Sequence, residues 1–159
     1  MPREIDANEL TQRFVLHEGC VLTPYACPAG YLTIGIGHNL DTNPLTEEER
    51  KVCGDYLKGI TKNAAYYLLR NDLARCEQEC IKHIPFYQNL DPERKYALLD
   101  MDFNMGWRGL LGFKKMLNAM GCGDWEWAAR ECLDSKYARQ TGKRAKRIAE
   151  TIRTGVFKV

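Results

Sequence analysis

The sequence predicts an α+β fold, mostly helical, in a single domain of two lobes. Three observations point there: a β-hairpin pattern confined to residues 20–38, a long amphipathic stretch opening near residue 61, and helical spacing through the rest of the chain. At 159 residues and 45% hydrophobic content, the chain is long enough to bury one core.

Asp6 or Asn8 can cap a first helix whose apolar positions Leu10, Phe14 and Val15 recur at helical spacing. Gly19 suits the left-handed position just beyond its end, so Glu18 falls in the last turn. Between Cys20 and His38 the short β-prone runs VLTPYAC and YLTIGIGH flank the turn residues Pro28-Ala29-Gly30. Thr46 to Glu49 has capping-box spacing. Ile60-Thr61-Lys62-Asn63 opens a long helix with Leu69, Leu73, Cys76, Cys80 and Ile84 along one face. Asp91-Pro92 starts another helix that runs to Met105-Gly106. Further helices are expected at 108–120, 124–134 and 143–153.

The net charge of +2 hides an asymmetry: residues 136–159 carry eight Lys/Arg against Glu150 alone, whereas the rest is acidic. This basic segment, 136–158, reads as the solvated side of the last helix, with weak contact to an anionic surface as its functional alternative. Nucleic acid is not expected, since no binding motif or interleaved aromatics accompany the basic residues. Seven cysteines, an odd number without paired short spacings, read as reduced thiols. The polar start MPREIDANEL has no leader-like core, and no stretch reaches the ~18 apolar residues of a membrane span.

Strand alternation places Thr33, Gly35 and Gly37 on one nearly bare face and Leu32, Ile34 and Ile36 on an apolar one. Glycines at alternate positions mark close approach of a ligand or another backbone, or else permit strong twist. His38 shares parity with the apolar face, so it should point inward, and Asp72 on the long helix can supply its partner. Glu18 at a helix C-terminus meets partial negative charge, which disfavours the carboxylate, the direction an acid catalyst needs. Cys76, Cys80 and His83 share one helix face. Their Leu and Ile neighbours make core filling the preferred reading, so no metal or cofactor is expected.

These residues bring a family into view. HEG at 17–19, GYLTIGIGH at 30–38, ITK at 60–62, FNMG at 103–106, GF at 112–113, QT-x-x-RAKR at 140–147 and RTG at 153–155 together resemble the phage lysozymes, glycoside hydrolase family 24. The resemblance implies a lysozyme-like fold: a β-containing lobe at about 15–60, a helical lobe from 1–14 and 80–159, a connecting helix at 61–83, and murein bound between the lobes. The family's catalytic set is a Glu, eight residues, an Asp or Cys, five residues and a Thr, and it falls on Glu18, Cys27 and Thr33. It implies that Glu18 protonates the glycosidic oxygen while Cys27 and Thr33 position or activate water. Gly35, Gly37, Asn39, Leu40 and Phe103 are then expected at the substrate. His38, Asp72 and Arg144 would support the site, Arg144 by approaching the Glu. Met116 and Glu131 stand where relatives carry smaller polar residues, so subsite preferences are expected to differ.

The activity so implied is hydrolysis of the β-1,4 bond between N-acetylmuramic acid and N-acetylglucosamine in peptidoglycan by a monomer, for host cell lysis. A cysteine in place of the catalytic carboxylate keeps open a lytic transglycosylase, which needs one Glu and leaves 1,6-anhydro ends, and a silent wall-binding protein. Without a leader, the enzyme would accumulate in the host cytoplasm and reach the periplasmic wall through a separate holin.

Overall fold

The computed structural model describes residues 3–159, and the chain divides into two compact units, Asp6–Ala74 and Arg75–Val159 together with residues 3–5. The architecture is mostly helical with one small antiparallel sheet, the α+β class expected.

In the first unit, α1 spans Ala7–Glu18, with Asp6 at its N-cap accepting from Glu9 N at 2.8 Å. Gly19 closes it at φ 71°, its N–H bonded to Val15 O. Three strands follow, β1 (Val21–Ala26), β2 (Leu32–Gly35) and β3 (His38–Asn39), in the order β1-β2-β3. The single hairpin expected up to His38 is therefore cut short. Gly35 and Gly37 take φ values of 69° and 65°, and the chain turns there instead of continuing the pleat. The predicted alternation fails with it. Thr33 is 3% exposed and Ile34 and Ile36 are buried alongside it, whereas Leu32 is 38% exposed. A bulge between Val21 and Tyr25 adds to the irregularity, so that Thr33 pairs with Tyr25 on one side and Asn39 on the other. Next come α2 (Glu47–Cys53), opened by the predicted capping box of Thr46 and Glu49, and the long α3 (Lys62–His83). Phe14, Ile34, Ile36, Ala65, Leu68 and Leu69 are all fully buried in this unit.

The second unit holds α4 (Pro92–Leu111), α5 (Lys114–Gly121), α6 (Trp125–Leu133), α7 (Lys136–Thr141) and α8 (Lys143–Thr154). Asp91 caps α4 as expected, with Pro92 at its first position. Gly106 leaves helical geometry at φ 79° and ψ 160°, so the predicted stop at Met105-Gly106 appears as a break inside α4. The helix expected at 108–120 is correspondingly divided between the last turn of α4 and α5. The short α7, capped by Ser135, was not foreseen. Helix α8 packs on α4, α6 and α7 through Ala145, Ile148, Ala149 and Ile152. Of the basic segment, Lys136, Arg139, Lys143, Lys146, Arg153 and Lys158 are exposed, but Arg144 is buried. It grips Asp100 with two hydrogen bonds, Nε–Oδ1 at 2.9 Å and Nη2–Oδ2 at 3.2 Å.

The predicted apolar face of α3 is confirmed in full: Leu69, Leu73, Cys76, Cys80 and Ile84 are all buried. His83 leaves that cluster and stacks on Trp107, ring centroids 4.0 Å apart. Asp102 of α4 is buried there instead, and burial, followed by the adjacent Glu79, pushes its carboxyl up to about 7. None of the seven cysteines is in a disulfide, and no helix among the described residues is long and apolar enough to cross a membrane.

Candidate active site

Glu18 is the last residue of α1 and is half-buried. The sharp exit at Gly19 turns the main chain away into β1 and leaves the Glu18 side chain facing the turn between β2 and β3. There it meets Gly37: a methyl group at that position would stand 2.8 Å from Glu18 Cδ and 2.9 Å from Cγ and Oε2. Gly37 is thus a glycine for two reasons, a left-handed backbone and the space that the Glu18 carboxyl occupies. The approach predicted at the bare glycines exists, but its occupant at Gly37 is a protein carboxyl group. Gly35 makes room for α3, since a methyl there would lie 3.3 Å from Ala65 Cβ and 3.5 Å from Ile60 Cδ1.

Cys27 follows β1 and opens a tight turn, in which Gly30 N–H bonds to Cys27 O at 2.8 Å and Cys27 N–H to Tyr31 O at 2.9 Å. Burial of the thiol opposes its ionisation. Hydrogen bonds from the backbone at Tyr31, Ala29 and Gly30, and from the Thr33 hydroxyl, outweigh that and hold it below the usual thiol range. Thr33 Oγ1 also lies 2.9 Å from Tyr31 O, a second acceptor for its single proton.

The sequence reading missed Tyr25. It pairs with Thr33 across the sheet, and its phenol is raised by burial and then by the charges of Glu18 and Cys27. One neutral O–H group therefore lies within electrostatic reach of both candidate catalytic groups. Its sequence signal was its parity: Tyr25 stands two residues before Cys27 on a strand.

Behind the sheet, His38 is 2% exposed and its Nδ1 lies 2.7 Å from Asp72 Oδ2, while Nε2 lies 2.9 Å from Asn43 O. Burial works against the imidazolium. The Asp72 hydrogen bond and charge, the Asn43 carbonyl and the Glu49 carboxylate more than offset it, and the ring is held above its ordinary value. Glu49 is itself fixed by Thr46 N–H and Asn71 Nδ2, at 2.9 and 3.1 Å. This network ties β3 to α3 and α2, and so holds the turn that carries Gly37.

Asn39 and Leu40 have structural engagements of their own. Asn39 Oδ1 accepts from the N–H groups of Asp41 and Thr42, both at 3.0 Å, and Leu40 is buried with its N–H on Leu32 O. Phe103, Met116 and Arg144 belong to the second unit, where Phe103 is half-buried and Met116 is core.

The sequence pattern of the family described as phage lysozyme matches residues 15–151. The chain is 36% identical over 151 residues to the pre-baseplate central spike protein Gp5 of Enterobacteria phage T4, which covers 87% of this chain but only 26% of that protein. It is 34% and 32% identical to the probable T4-type lysozymes 1 and 2 of Dictyostelium discoideum. Those alignments cover 88% and 89% of this chain and 91% of each relative. With its family pattern running from the last turns of α1 into α8, and with relatives of this kind, the chain belongs to the phage lysozyme family.

Proposed function

We propose that this chain is a muramidase that hydrolyses the β-1,4 bond between N-acetylmuramic acid and N-acetylglucosamine in bacterial peptidoglycan. The observation that carries this reading is the meeting of the Glu18 carboxyl with the Gly37 turn, with Tyr25 within reach of both it and the Cys27–Thr33 pair. Family membership and the names of the Dictyostelium relatives support glycosidase chemistry.

In the proposed reaction Glu18 gives its proton to the glycosidic oxygen, which leaves as the 4-hydroxyl of N-acetylglucosamine. Water, hydrogen-bonded by the Thr33 hydroxyl, adds its oxygen to the anomeric carbon of the muramic acid. The Cys27 thiolate takes the proton that this water sheds, and exchange with solvent resets both groups. The lowered thiol suits this role, because a base must be ionised at the working pH. Tyr25, kept neutral, is a donor to charge on either side. The resemblance assigns Asn39, Leu40 and Phe103 to sugar binding, His38 and Asp72 to support of the site, and Arg144 to Glu18.

The biological reading is lysis of a host bacterium by a monomer released to the wall through a separate holin. A second reading, lytic transglycosylase, is favoured by one fact: position 27, where the resemblance puts the second catalytic group, holds a thiol and not a carboxylate. Mass spectrometry of soluble products from purified peptidoglycan separates the two, with Glu18→Gln as control. Reducing muramic ends absent from the variant are the expected result. Anhydro ends would establish the transglycosylase, and no products from either protein would leave only wall binding.

A further inference from the structure

The second unit contains a set of side chains that the muramidase chemistry does not use. Cys76 and Glu79 are three residues apart on α3 and so share a face, and Asp102 of α4 is packed against them. One ligand atom from each, the Cys76 sulfur and one oxygen from each carboxylate, lies within 4.8 Å of the other two. Without a cation the two carboxyl groups are relieved by a proton, with the Asp102 carboxyl raised to about 7 by burial and by Glu79. Arg75 reaches Glu79 Oε1 at 3.5 Å, but at 40% side-chain exposure it sits on the rim.

The two oxygens of Asp102 are unequal. Asp102 is 1% exposed; its Oδ2 accepts from Cys80 Sγ at 3.6 Å, whereas Oδ1 and Glu79 Oε1 are both buried with no hydrogen-bond donor from the rest of the protein, Asp102 being hydrogen-bonded to Glu79 and Cys76 themselves. A buried carboxyl oxygen whose neighbours are two other acids is costly to ionise. It is fixed in place by the bond that Cys80 makes to its twin, as a second-layer group fixes a metal ligand.

We propose that Cys76 Sγ, Glu79 and Asp102 Oδ1 form a binding site for one Zn²⁺ ion, with Cys80 orienting Asp102. The donor set fits that ion. Zn²⁺ accepts thiolate and carboxylate together in tetrahedral geometry, with bonds of about 2.3 Å to sulfur and about 2.0–2.2 Å to oxygen. Such bonds separate neighbouring ligand atoms by about 3.3–3.8 Å, so the three groups need to close by roughly 1 Å, a side-chain adjustment. Mg²⁺ and Ca²⁺ require all-oxygen shells and are excluded by the sulfur. Glu79, 21% exposed, opens the fourth position to water and gives the ion a way in. On binding, Cys76 and the Glu79–Asp102 pair each release a proton to solvent, and the ion's two positive charges offset the thiolate and one carboxylate. Of Cys76, Cys80 and His83, which share one helix face, Cys76 is the ligand and Cys80 supports Asp102, while His83 is engaged with Trp107.

The test uses the full chain, stripped with a chelator and then loaded with Zn²⁺ or Co²⁺. One equivalent is expected to remain after removal of free metal. The Co²⁺ form should show thiolate-to-cobalt charge-transfer absorption, and the thermal midpoint should rise with Zn²⁺ concentration. Cys76→Ala and, separately, Asp102→Asn should each lose the bound equivalent and the absorption while retaining native circular dichroism. Cys122→Ser and Cys27→Ser should keep both. If the wild type retains no metal, or if the metal and its thiolate band persist in Cys76→Ala, the proposal is overturned. Should Asp102→Asn prove unfolded, Cys76→Ala alone decides.

Discussion

His38 Nδ1 stands 2.7 Å from Asp72 Oδ2, with the two side chains 2% and 5% exposed, and this pair clamps the β2–β3 turn to α3. Glu18 rests against that turn at Gly37, so the clamp bears on the site without touching a substrate.

Removing one partner should show the clamp's worth. Asp72→Asn leaves a buried imidazole without its counter-charge, and a loss of about 3–5 kcal/mol is expected by urea unfolding. The folded-state value of His38 is raised, so the ion pair's contribution is fully present below the unfolded value of about 6.5 and declines as pH rises through the folded value. The stability gap between wild type and Asp72→Asn should therefore be wider at pH about 6 than at pH about 9. A gap independent of pH would mean that the pair acts only as a neutral hydrogen bond.

Gly37→Ala combines strain with collision. The left-handed backbone costs about 1–2 kcal/mol for a non-glycine residue, and the methyl group would strike Glu18 at 2.8 Å. Restoring ordinary contact would push the carboxyl aside by about 1 Å, and a misplacement of that size in a catalytic group costs about 10²-fold in rate, so turnover of peptidoglycan should fall far more than stability does. Gly54→Ala is the comparison: its φ is also positive, at 64°, but no atom lies within 4 Å of the new methyl. It should lose stability with activity largely kept.

Cys27 should reveal itself by chemistry as well as by rate. With its thiol lowered, it is expected to be alkylated by iodoacetamide at pH about 7 well before Cys80 or Cys132, whose thiols are buried and raised. Cys27→Ser should lose about 10²-fold or more of cleavage. Cys27→Asp should stay active and extend the acid limb of the pH profile, since a carboxylate remains ionised down to about pH 4.

Tyr25→Phe removes the phenol that feels the charges of both Glu18 and Cys27. A hydrogen bond to a charged group contributes about 1.5–3 kcal/mol, so a fall of tenfold or more in kcat is expected at nearly constant KM and melting temperature. An unchanged kcat would assign Tyr25 to packing alone.

The features legible in the sequence were those that neighbouring residues decide among themselves. The Asp6 cap and the Gly19 stop of α1, the Thr46–Glu49 box and the apolar face of α3 all follow from hydrogen bonds and side-chain periodicity within a few residues. These local rules also placed Glu18 at a helix end, whereas His38 is buried as expected although the alternation that predicted it fails. The spacing of Glu18, Cys27 and Thr33 was legible only through family resemblance, because nothing local distinguishes a catalytic thiol from a small apolar residue.

Tertiary structure decided the rest. Gly35 and Gly37 looked alike along the chain, yet one accommodates a helix and the other a carboxyl group, and only the position of Ala65 and Glu18 separates them. Alternation failed at Leu32 and Thr33 because a bulge in β1 and the turn after Gly35 redirected the strand. The cluster of Cys76, Glu79 and Asp102 joins residues more than twenty positions apart on two helices, and it exists only once those helices pack. Periodicity gives each side chain a face, but a charge acquires its partner, or lacks one, only when a second element closes over it and excludes water.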